Sequence, residues 1–103
     1  MTGVENRRSP RILKRVALRI DQGTGSKHEA FSAVINTHGA LVIAPLGFPD
    51  DTIVLVENLG NGQLSRARVV WSGGEEDGTG FKMGLEFLDG VDFWGEDYNP
   101  DAG

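Results

Sequence analysis

Fifteen glycines cut this 103-residue chain into apolar runs that are too short for helices but long enough for strands. Glycine is present at about twice its usual frequency of ~7%. The clearest run is Phe81–Leu88. Phe81, Met83, Leu85 and Phe87 fall on one face, and Lys82, Gly84 and Glu86 on the other. That is a period of two, not 3.6. Gly84 interrupts the polar face, where a glycine often permits close approach of another group.

Further runs follow the same logic. Ile53–Leu59 and Leu64–Trp71 flank Gly60-Asn61-Gly62 and read as a hairpin. On its second strand Ala67, Val69 and Trp71 are expected to share one face, and Arg66 and Arg68 the other. Phe31–Ile35 and Ala40–Ala44 flank Asn36-Thr37-His38-Gly39 and read as a second hairpin, which Pro45, Gly47 and Pro49 bring to an end. Ile12–Ile20 admits two readings. As a strand it aligns Ile12, Val16, Leu18 and Ile20; as a helix it aligns Leu13, Val16, Ala17 and Ile20. Its β-branched residues favour the strand. Asp89–Gly95 is expected to form one helical turn capped by Asp89, with Val91, Phe93 and Trp94 packing inward. Gly73–Gly80 reads as a polar acidic loop. Six short strands without a long helix predict an all-β fold, a small six-stranded antiparallel barrel with a short C-terminal helical turn. The expected organisation is a flexible basic arm over 1–11, the barrel over 12–95 and an acidic tail over 96–103.

Charge is divided along the chain. Residues 1–20 carry six basic side chains against Glu5 alone, whereas residues 21–103 carry four basic and fourteen acidic ones. The net charge of −5 disfavours long-range attraction to nucleic acid. A basic nucleic-acid arm over residues 7–19 is the reading this acidic body opposes. No apolar stretch reaches the ~18 residues of a membrane span, and no signal peptide opens the chain, so a cytoplasmic location is expected.

Catalytic patterns are scarce. Cysteine is absent, which excludes disulfides, thiol nucleophiles and cysteine-ligated metals. His28 and His38 belong to no nucleophile motif, and two histidines without a third ligand make a poor metal site. Asp50-Asp51 and Glu75-Glu76-Asp77 lack the alternation of a calcium loop. Gly78-Thr79-Gly80 lacks the Gly-Lys-Ser/Thr of a phosphate-binding loop. The chain is expected to bind rather than to catalyse, with no metal and no cofactor.

One segment does carry chemistry. Asn6-Arg7-Arg8-Ser9-Pro10-Arg11 sets three arginines within five residues, just ahead of the first strand. A guanidinium fork matches phosphate bidentately, grips the O6/N7 edge of guanine, and stacks on bases. Clustered arginines therefore suit a ligand that is both phosphate and purine.

Arg7-Arg8-x-x-Arg11, then Val34-Ile35-Asn36-Thr37-His38-Gly39, then Ala67-Arg68-Val69-Val70-Trp71, then Met83-Gly84-Leu85-Glu86-Phe87, resembles in its order a PilZ domain. The resemblance spans roughly residues 6–95. It implies a six-stranded barrel and a receptor for the bacterial second messenger cyclic di-GMP. By this match Arg7, Arg8 and Arg11 would hold phosphates and guanine faces. Asn36 and Gly39 would occupy the serine and glycine positions of the family's Asp/Asn-x-Ser-x-x-Gly motif. The chain departs from that motif at Val34, where the family has an acid, and at Asn36, where it has serine. Losing a charge-assisted hydrogen bond costs about 1.5–3 kcal/mol, roughly ten- to a hundredfold in affinity. The alternative reading is therefore a degenerate PilZ domain, a protein-interaction adaptor that no longer binds nucleotide. With no catalytic or signalling domain in the chain, output is expected to pass through an unknown downstream protein.

Overall fold

The structure, a computed structural model, describes residues 10–73 and 80–98. Its strands are β1 (Ile12–Leu13), β2 (Ala17–Asp21), β3 (Lys27–Asn36), β4 (Gly39–Ala44), β5 (Ile53–Asn58), β6 (Leu64–Gly73) and β7 (Phe81–Phe87). All pairings are antiparallel. The order β3-β2-β5-β6-β7-β4 closes on itself because β4 also pairs with β3, and β1 extends alongside β3 as a seventh strand. Closure gives each barrel strand two neighbours, so the barrel proper leaves no unpaired edge among the described residues.

The period-two runs fill the interior as their patterns require. Leu18, Ile20, Val42, Val56, Val69 and Met83 are buried along alternating positions of five strands. The ambiguous run Ile12–Ile20 is strand, broken after Leu13. Ser32 of β3 bridges the break: its Oγ donates to the Lys14 carbonyl at 2.6 Å and accepts from the Val16 amide at 2.8 Å. One buried hydroxyl thus satisfies two backbone groups that the interrupted ladder would leave orphaned.

Both expected hairpins form. Asn36 pairs with Gly39 across a two-residue turn, and β5 returns through residues 59–63 into β6, with Gly62 at φ 81°. Asn58, fully buried, organises the second turn. Its Oδ1 accepts from the Gly60 amide at 2.8 Å, and its Nδ2 donates to the Phe93 carbonyl at 3.0 Å.

Two expectations need correction. Trp71 does not face inward with Ala67 and Val69. A bulge at Val70 shifts the register, so that Val69 opposes Leu85 but Trp71 opposes Gly84, and the indole ends on the outer wall, 44% exposed. Asp89 does not cap a helix over Asp89–Gly95. Its carboxylate accepts from the Arg66 amide at 2.9 Å and from the Arg66 guanidinium at 2.8 Å, and among the described residues the one 3-10 turn lies later, at Gly95–Asp97. Val91 accordingly stays exposed, while Phe93 and Trp94 are buried.

Phe93 and Trp94 close one end of the barrel. Their rings meet edge to face at 4.8 Å, and Phe87 at the end of β7 packs on Phe93 at 4.5 Å. Phe48 is buried near His28 at the opposite end. Beyond Trp94, the Tyr98 hydroxyl donates to the Pro10 carbonyl at 2.6 Å, and Lys14 lies 3.9 Å from Asp97. The C-terminal segment therefore holds the entry of the chain into β1.

Candidate ligand-binding cleft

Cross-strand register builds two rows on the outer wall near the plugged end. Leu13, Val34, Leu41, Gly84 and Trp71 succeed one another across β1, β3, β4, β7 and β6. Beside them run Asn36, Gly39, Glu86 and Arg68. Arg11, one residue before the Ile12–Ile35 pair, rises at the end of the second row. Between the rows lies a cleft of about 470 Å³ that Arg11, Val34, Asn36, His38, Gly39, Leu41, Arg68, Val70, Trp71, Gly84 and Glu86 help to line. That size is ordinary for a small-molecule site.

The two glycines shape this wall by omission. A Cβ on Gly84 would stand 2.5 Å from the Trp71 Nε1 and 2.9 Å from its Cδ1, so the indole can lie over β7 only because no side chain is there. A Cβ on Gly39 would collide with the backbone carbonyl oxygen of Leu85. Gly39 is thus required by backbone approach between β4 and β7. The turn itself does not require it, since Gly39 is not among the residues with positive φ.

Polar groups form the rim. Asn36 Oδ1 accepts from the His38 amide at 2.7 Å, which fixes the turn and leaves the side-chain NH2 as the group Asn36 can offer a ligand. The Asn36 carbonyl is held from within by the Trp94 Nε1 at 2.8 Å. Arg68 is clamped by two carboxylates. Its Nη2 and Nε reach Glu86 Oε1 at 2.8 and 3.2 Å, and its Nη1 reaches Asp51 Oδ1 at 2.6 Å. Hydrogen bonds to Glu86 and then Asp51 raise the Arg68 pKa above its ordinary value, so its charge is permanent. The cleft therefore joins an apolar, partly aromatic floor to a rim bearing two arginines, the exposed Arg11 and the clamped Arg68.

Of the residues expected to bind, the structure brings Arg11, Asn36 and Gly39 to this one cleft. Arg7 and Arg8 lie outside the described residues, as do Glu75, Glu76, Asp77, Gly78 and Thr79. Val34, where the PilZ resemblance would call for an acid, contributes to the apolar floor. His38 lines the cleft while His28 packs near Phe48 at the other end, so the two histidines share no site. Asp51 is engaged by Arg68, and among the described residues no three metal-ligating side chains cluster. Trp71, Arg68 and Glu86 also line the cleft and were missed in the sequence as candidate site residues. Gly84 on the outer face of β7 was the available signal, because a glycine there invites something to lie across it.

Among the described residues no helix is long and apolar enough to cross a membrane. Compared with known proteins, the sequence matches no family model and no curated protein.

Proposed function

We propose that this barrel is a non-enzymatic receptor for a cyclic purine dinucleotide, cyclic di-GMP, and passes the signal to a downstream protein. The observation that carries this reading is the convergence of Arg11 with Asn36 and Gly39 on one cleft. The chemistry of the cleft agrees with such a ligand. Arg11 offers a phosphate fork, Asn36 offers side-chain N–H donors, and Trp71 offers an exposed ring face for a purine. Arg7 and Arg8, in the arm just ahead, would add further phosphate contacts, so that ligand binding changes the surface a partner meets.

Isothermal titration with cyclic di-GMP tests this. Saturable binding is expected, weakened roughly ten- to a hundredfold in Arg11→Ala and further in Arg7→Ala/Arg11→Ala. Identical heats for wild type and the double variant would overturn it.

A second reading is favoured by one feature, the apolar floor of Val34, Leu41 and Val70. On that reading the domain is an adaptor that has lost the nucleotide and engages a protein through this wall. Thermal shift separates the two. Stabilisation by cyclic di-GMP but not by GTP or cyclic GMP supports the receptor; no stabilisation by any of them supports the adaptor.

A further inference from the structure

Among the described residues, Glu86 is the one carboxylate that lines the cleft. It stands on β7 opposite Gly39 on one side and opposite Arg68 on the other, and its side chain is half exposed. Glu86 Oε1 takes both bonds from Arg68; among the described residues Oε2 has no partner. A carboxylate beside phosphates is repelled, so within an anionic ligand it must face hydrogen-bond donors. Arg11 and the Asn36 amide stand at the far end of the same row and supply the anion-binding side. The purine edge is left for Glu86.

We propose that Glu86, oriented by Arg68, is the residue that makes this cleft select guanine over adenine. This rests on the reading of the cleft as a cyclic-dinucleotide site. Guanine presents adjacent N1–H and N2–H donors, which match the two carboxylate oxygens. Adenine presents one N6 donor beside the N1 acceptor, whose lone pair opposes a carboxylate. The selectivity is electrostatic and directional, because one side of the carboxylate is fixed by Arg68. Sites built to satisfy a donor reject analogues that lack it, since the acceptor that the bound base covers is then left unpaired.

Paired titrations of wild type and Glu86→Gln with cyclic di-GMP and cyclic di-AMP provide the test. Glutamine is isosteric, and its carbonyl still accepts from Arg68, which turns its NH2 toward the base. A melting curve confirms that the variant folds. Wild type is expected to prefer cyclic di-GMP, and Glu86→Gln to lose roughly ten- to a hundredfold of that preference. An unchanged preference in Glu86→Gln would overturn the role of Glu86 while leaving the dinucleotide site standing. Equal binding of both ligands by wild type would also overturn it, and binding of neither would remove the parent reading as well.

Discussion

The Trp94 indole donates a 2.8 Å hydrogen bond to the Asn36 carbonyl, so the plug at the end of the barrel and the rim of the cleft meet at a single residue. Asn36 is held from inside by that indole and from outside by its own bond to the His38 amide. Replacing Trp94 by Phe keeps an aromatic plug but leaves the carbonyl without its donor. A stability loss of about 1–3 kcal/mol is expected in urea denaturation. Cyclic di-GMP affinity should fall with it. A variant that loses stability but binds with unchanged affinity would show that Trp94 does not position the turn.

Ser32 is expected to be as costly to remove as a much larger side chain. Ser32→Ala strips the donor from the Lys14 carbonyl and the acceptor from the Val16 amide, both at the break between β1 and β2. The predicted loss is about 1–3 kcal/mol, and each kcal/mol lowers the melting temperature by roughly 4–8 °C. Thermal melting followed by circular dichroism checks it. A melt within about 1 °C of wild type would mean that the two backbone groups find other partners.

Gly84→Ala separates fold from site. The new methyl would meet the Trp71 Nε1, and an exposed indole can swing away where a packed backbone cannot. Stability should therefore change by less than about 1 kcal/mol. Affinity should fall roughly five- to a hundredfold, the worth of one lost base-stacking surface. Gly39→Ala should behave oppositely, because the Leu85 backbone cannot move aside without opening the β4–β7 ladder. There the loss appears first in stability.

Asp89 and Arg66 give a pH signature. Hydrogen bonds from the Arg66 side chain and then its amide hold the Asp89 carboxyl below its ordinary value of 3.8. A carboxylate with a depressed folded pKa adds stability that is complete above the unfolded value. That stability is lost as pH falls through the lowered folded value. Wild type should therefore exceed Asp89→Asn by a constant margin near about pH 7, and the margin should close in strong acid. Melting temperatures of both proteins across that range are the measurement. A margin that persists at the acid end would exclude Asp89 ionisation as its source.

The strand pattern was legible because burial on one face of a sheet writes itself as alternation. Met83 and Leu85 show it directly, and so does the Asn36–Gly39 turn between two such runs. Trp71 was not legible, because the bulge at Val70 inserts one residue and reverses every later side chain; alternation alone does not announce the slip. Asn58 was hidden for a different reason. A buried amide that serves a turn and a distant carbonyl has no periodic signature. Arg68 and Glu86 could be read as outward, but closure of the barrel decides which outward residues border a concavity. Arg11 and Gly39 were legible as candidate site residues only through the spacing of a family-like motif. Their meeting at one cleft is a property of the β1–β3–β4–β7 register.

The most direct test of the central claim is an NMR titration of amide and indole resonances with cyclic di-GMP. The predicted result is a contiguous set of shifts at Arg11, Asn36–Gly39, Gly84 and the Trp71 indole N–H, with residues around His28 and Phe48 unmoved. Saturating shifts confined to the His28–Phe48 end, or none anywhere, would contradict it.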